Sequence, residues 1–350
     1  MHPLYRAATA AAISIILSGC GVFTQESTVV LVREPGNRAY SPPQPIADLA
    51  RELWPYAVLS SNVYLAAERA AAAAAGKAAP NPRTEEAFSP ECRSRDAMYL
   101  PLEGWERWES FPDPEKKKDW AAKLGLNVEV WQTTARPRTV AVVFEGTNFT
   151  SLLDWRANLR WFLRFVPGFE DQYVAVAKHV SADFAEELAK RAAAEGGPND
   201  LRVVAAGHSL GGGLAQHFAY SLPLESKSNG PVPRVSRVYA FDPSPVTGWF
   251  SVAPELRTRN AQGLQTDRVF EHGEILAYIR LIQSYIMAPS VNNPAIREIR
   301  FNFIRSLNVI QSHSMYQLAC DLAHAGNGGA PPAAQAAGGM LSALGYLSGR

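Results

Sequence analysis

Neither sign of charge is in excess in this chain, with 34 lysine and arginine residues against 33 aspartate and glutamate residues. Binding to nucleic acid draws on a basic surplus that releases counterions, so no nucleic acid is expected as a partner. Basic amphipathic stretches suited to an anionic membrane surface are missing too. Cysteine is scarce, being confined to Cys20, Cys92 and Cys320. The apolar run Ala7 to Leu17 is too short to span a bilayer, which takes about 20 residues.

What remains is an ordinary globular composition, 47% hydrophobic and 19% charged over 350 residues, enough for one large α/β domain or two smaller ones. The start is different in kind. Arg6, the Ala7 to Leu17 run and then Leu17-Ser18-Gly19-Cys20 resemble a bacterial lipoprotein signal. In such a signal the cysteine becomes the acylated first residue of the mature chain. Residues 1–19 are therefore expected to be a signal peptide and Cys20 a lipid anchor that joins the chain to a membrane. Gly21, where Asp would favour inner-membrane retention, points to the outer membrane of the cell envelope. Removal of Arg6 leaves 33 charges of each sign. Cys92 and Cys320 would then sit in an oxidising compartment, where a disulfide and two buried thiols both remain open.

Residues 20–45, with Pro42, Pro43 and Pro45, read as a tether, so the fold is expected to begin near Ile46. Residues 46–325 form the domain, and 326–350 are a flexible Gly/Ala-rich tail. Ile46 to Ala75 has helical composition interrupted at Pro55, and the Glu115 to Asp119 charge cluster suits a solvated helix face. Strands are expected at Leu126 to Thr134, Thr139 to Phe144, Leu201 to Ala206, Val235 to Phe241, Arg268 to Glu271 and Arg297 to Ile304. Helices of 12 residues or more alternate with them, at Asp171 to Ala194 and Leu210 to Leu222. Such alternation implies a mostly parallel, doubly wound sheet with helices on both faces and catalytic loops at the carboxyl ends of the strands.

Gly207-His208-Ser209-Leu210-Gly211 lies where a β-branched apolar run meets a helix. The five-residue pattern alone occurs by chance in about one chain in ten of this length. Between strand and helix it has the form of a nucleophile elbow, where glycines let the two elements approach and the serine hydroxyl stands above the sheet. A serine hydroxyl needs a base, and the base needs an acid to orient it. The order serine, acid, histidine found in α/β hydrolases leaves His313 and His324. His313 opens from the polar loop Gln311 to Ser314 and is preferred, whereas His324 reads as a helix C-terminal residue. His208 is expected to point away from its neighbour's hydroxyl. Asp242 and Glu274 both follow strands and compete as the acid.

These segments together resemble the class 3 lipase family. Ala141 to Thr147 is similar to its strand ending in Arg-Gly-Ser/Thr, Ser151 to Leu159 to its Asp-Trp segment and lid, Gly207 to Gly212 to its elbow, and Glu274-Ile275-Leu276 to its Asp-x-Val. A late histidine completes the order, and the resemblance covers about residues 125–320. It implies an α/β-hydrolase in which Ser209 is nucleophile, His313 base and Glu274 acid, spaced by 65 and 39 residues, with Asp242 as runner-up. Backbone N–H groups of Thr147 and Leu210 would form the oxyanion hole. The chain departs from the pattern at Glu145, where the family has Arg, and in using Glu as the acid.

The implied activity is carboxylic-ester hydrolysis, with lipid acyl esters as substrate and no metal or cofactor. The rivals are an envelope lipoprotein that keeps the scaffold for binding, and a phospholipase or acyltransferase on the same scaffold. Residues 149–166 suit either a mobile lid or a helix packed on the sheet, and Trp249 and Phe250 are candidate acyl-pocket residues.

Overall fold

The computed structural model describes residues 28–65, 102–146, 172–195, 200–227, 230–274, 276, 288–304 and 311–328. The signal peptide, Cys20, Cys92, Thr147, the segment 149–166 and the tail beyond Gly328 lie outside the described residues.

The strands are β1 (Val29–Arg33), β2 (Gln44–Pro45), β3 (Trp105–Arg107), β4 (Val128–Thr133), β5 (Arg138–Phe144), β6 (Leu201–His208), β7 (Glu225–Ser226), β8 (Gly230–Pro231), β9 (Val235–Phe241), β10 (Gln265–Glu271) and β11 (Ala295–Phe301). Nine of them form one sheet in the order β2-β1-β11-β10-β9-β6-β5-β4-β3, and β7 and β8 pair separately. From β5 to β11 every neighbouring pair is parallel, while the pairs beyond are antiparallel. The helices are α1 (Ile46–Asn62), α2 (Pro114–Leu124), α3 (Gln172–Ala175), α4 (Ser181–Glu195), α5 (Leu210–Ser221), α6 (Pro254–Ala261) and α7 (Met315–Gly326). A π-helical turn, Val176–Val180, joins α3 to α4.

Both faces of the central strands are covered, which is why β5, β6 and β9 read as apolar runs without alternation. Along β5, Val140, Val142 and Phe144 pack under α4 and α5, while Ala141 and Val143 face the core that α1 and α7 close. The same two-residue period splits β6 and β9 between the two cores. Because β5, β6, β9 and β10 follow one another in both sequence and space, their right-handed crossovers put α4, α5 and α6 on one side. Helices from the two ends of the domain, α1 and α7, cover the other. This is the sheet of an α/β-hydrolase, with both faces covered by helices.

Two local expectations are corrected. The fold takes in part of the segment read as a tether, since β1 buries Val30 and Val32 and pairs with β11. Its apolar alternation outweighs the prolines that follow it. Helix α1 also runs through Pro55 without a break, its stripe of Leu49, Leu53, Ala57 and Val58 being held against α7 and the sheet. Packing there offsets the hydrogen bond that proline cannot make. Cys320, fully buried in α7, is held in a disulfide. No helix among the described residues is long and apolar enough to cross a membrane.

Candidate active site

At the carboxyl end of β6 the chain turns sharply into α5, and Ser209 sits in the turn at φ 56° and ψ −121°. An L residue rarely occupies that region, so the neighbours must hold it there. The Ser209 N–H donates to the Phe241 carbonyl at 2.9 Å, and the Ser209 carbonyl accepts from Ser244 at 2.9 Å and Gly212 at 3.1 Å. A Cβ on Gly211 would overlap the Phe144 carbonyl, and one on Gly207 would overlap the Gly211 carbonyl, so both glycines are required by close approach. Leu210 begins α5, whose first-turn N–H groups fall outside the helical ladder and carry its partial positive charge.

Glu274 lies three residues beyond β10 and is fully buried. Its Oε2 accepts the Leu276 N–H at 2.7 Å and lies 2.9 Å from His313 Nδ1. His313 closes the short turn Gln311–His313, and Ser314 then caps α7 by accepting the Gln317 N–H at 3.3 Å. That cap sets where the histidine enters the site. An ionised carboxylate only accepts, which puts the imidazole proton on Nδ1 and makes Nε2 the basic nitrogen.

Asp242, the competing acid, is also fully buried and adopts φ 39°. Its Oδ1 accepts the Glu271 N–H at 3.0 Å, and its Oδ2 lies 3.9 Å from His208 Nε2. Of the two acids, then, Glu274 contacts the His313 ring directly, and Asp242 ties the end of β9 to β10. His208 is buried, with Nδ1 2.8 Å from Tyr64 Oη and its ring centroid 4.6 Å from that of His313. Possible ligand atoms of His208, Asp242 and His313 fall within 4.8 Å of one another, a spacing a cation could bridge. With Nδ1 of His313 facing Glu274, a cation would take the same Nε2 that base chemistry uses, so the two uses exclude each other.

Glu145, at the end of β5 where the family pattern has Arg, accepts a 2.6 Å hydrogen bond from Asn127 Nδ2. Burial pushes its carboxyl up to about 7, the Asn127 bond opposes this, and Glu129 adds to it. The folded state therefore holds this proton more tightly than the unfolded chain does. The resulting stability is complete below about pH 4.5 and is lost as pH rises through about 7. Glu145→Gln keeps the Asn127 bond and does not titrate. Its stability relative to the parent is expected to improve by about 1–2 kcal/mol between pH 5 and pH 8, less than the full shift allows because the group is partly exposed. Urea unfolding at the two pH values checks this, and an unchanged difference would refute it.

Trp249 packs edge-on against Tyr220 with centroids 4.8 Å apart, whereas Phe250 is 88% exposed and lines no interior pocket. Tyr64 had no sequence signal, since its contact with His208 spans 144 residues and belongs to no local pattern.

Residues 141–257 match the family lipase (class 3), which takes in most of β5, the elbow and the loop after Asp242. Glu274 and His313 follow the matched stretch. A comparison with curated proteins finds no match. Among solved structures, a fungal lipase–inhibitor complex described as a model for interfacial activation aligns at 17% identity with a TM-score of 0.36, covering 71% of this chain and 78% of that one. The stretch that carries β5, the elbow and the loop after Asp242 is thus the part of this chain that is similar to the lipase (class 3) family.

Proposed function

We propose that the protein is a serine hydrolase of carboxylic esters, acting on lipid acyl esters. Ser209 Oγ attacks the ester carbonyl while His313 Nε2 takes its proton, and Glu274 holds the imidazole and stabilises the imidazolium. The tetrahedral oxyanion is received by the Leu210 N–H at the start of α5 together with the Thr147 N–H. Collapse expels the alcohol, which takes its proton from His313, and leaves an acyl group on Ser209. Water, deprotonated by His313, then releases the acid and restores the serine.

The observation that carries this reading is the 2.9 Å contact between His313 Nδ1 and Glu274 Oε2 at the same end of the sheet as the strained elbow. The family match over residues 141–257 supports esterase or lipase chemistry in general. Attachment to the outer membrane through Cys20 would bring the site to lipid, and the disulfide at Cys320 accords with an oxidising compartment outside the cytoplasm.

A fluorophosphonate probe should label Ser209 in the full chain, with prior acylation by a p-nitrophenyl ester slowing the labelling. Turnover across triglycerides, phospholipids and short-chain esters then ranks the acyl substrates. Labelling without turnover on any of them would favour transfer to an acceptor other than water, and absence of labelling would favour a binding lipoprotein.

A further inference from the structure

Tyr64 follows α1, outside the stretch that matches the lipase family, yet its hydroxyl reaches the centre of the site. It lies against Gly146 at the end of β5 and 2.8 Å from His208 Nδ1 at the end of β6. Burial, with Glu145 and Asp242, pushes the phenol up, and the neighbouring Gly146 backbone opposes this. Donation of the phenol proton to His208 Nδ1, 2.8 Å away, is the arrangement the network requires. A ring whose Nδ1 accepts is neutral and carries its proton on Nε2, the nitrogen nearer Asp242 Oδ2.

The His208 ring is 4.6 Å from the His313 ring, the one that must become a cation during catalysis. A second proton on His208 would place a like charge beside that cation and would draw the Asp242 charge to itself. We propose that Tyr64, His208 and Asp242 form a positioning network for His313, in which Tyr64 keeps His208 neutral so that the Asp242 carboxylate remains available to the His313 imidazolium. This rests on the serine hydrolase reading for its consequence in catalysis, but the charge arrangement itself stands apart from the substrate.

Among the described residues, His313 is faced by His208 on β6, Asp242 after β9 and Glu274 beyond β10, while Tyr64 feels Glu145 and Asp242, and Glu271 feels Asp242 and Asp321. Burial pushes Glu271 well above the usual carboxylate range, the Ile304 N–H bond opposes this, and Asp242 and Asp321 add to it. Glu274 contacts His313 Nδ1 at 2.9 Å, and Asp242 also lies close to the ring, with atoms within 4.8 Å.

Titration of the histidine rings by NMR in the isotopically labelled full chain tests the network without any substrate. In the parent protein His208 is expected as the neutral Nε2–H tautomer throughout the range in which His313 titrates, and a His208 that titrates with it would overturn the proposal. Tyr64→Phe and Asp242→Asn should each lower the His313 pKa by about one unit, and the double variant should go no lower than Asp242→Asn alone. In a His208→Gln background, which cannot take the extra proton, Tyr64→Phe should produce no shift. On a soluble ester the acid limb of kcat/KM should move by the same amount, with kcat down about threefold to tenfold and KM within about twofold. A Tyr64→Phe protein that only melts earlier, with His313 unmoved, would make Tyr64 a packing residue. Failure of Ser209→Ala to abolish turnover would instead count against the hydrolase reading, since the ring titration does not depend on it.

Discussion

Replacing Ser209 by alanine is expected to lower kcat on a p-nitrophenyl acyl ester by about 10⁵-fold or more, because the covalent step disappears and only the oxyanion donors and binding remain. The variant should fold as the parent does. Alanine occupies φ 56° with much the same Cβ cost as serine, and the hydrogen bonds that hold the turn run through the backbone N–H and carbonyl of residue 209 rather than its hydroxyl. A melting temperature within a degree or two of the parent, with fluorophosphonate labelling gone, is the result the elbow requires. If the purified variant kept turnover within tenfold of the parent, the nucleophile would have to be elsewhere and the proposed mechanism would fall with it.

How much of this was readable beforehand depends on the reach of each interaction. Strands β5, β6 and β9 lie buried on both faces, and continuous β-branched and apolar runs such as Val140 to Phe144 announce that condition locally. The elbow was equally legible, since glycine at positions 207 and 211 answers a close approach to backbone carbonyls within the same turn. Strand β1 was not, because its pairing partner β11 lies more than 260 residues away and the prolines after it mimic a tether. Helix α1 continues past Pro55 for a reason that is likewise tertiary, its packing against α7. Tyr64 is the extreme case, a lone aromatic residue whose partners Gly146 and His208 are brought to it only by the finished fold. For His208 the place could be read from the sequence but the ring neighbour could not. Its place inside the elbow was evident, but the 4.6 Å approach of its ring to His313 depends on a loop that enters from the far end of the sequence.

The choice between the two acids shows the same limit, and it carries the second large effect. Glu274→Gln should lower kcat by about 10³- to 10⁴-fold, since a glutamine amide at the His313 Nδ1 position can turn its NH₂ toward the ring and favour the wrong tautomer. Rotation of the amide is restrained by the Leu276 N–H, which still wants an acceptor, so the loss is expected toward the smaller figure. Asp242→Asn should cost only about threefold to tenfold in kcat, because its carboxylate reaches His313 through space and its Oδ1 bond to the Glu271 N–H can be kept by the asparagine oxygen. Measured side by side on one ester at the pH optimum, the two variants discriminate cleanly. A deep loss in Asp242→Asn with Glu274→Gln nearly unaffected would exchange their roles, which would require the His313 loop to move away from the 2.9 Å contact with Glu274 during turnover. Glu274→Asp separates reach from charge: one methylene shorter, it should restore part of what glutamine loses, with a residual deficit of about 10- to 100-fold from imperfect orientation of the ring.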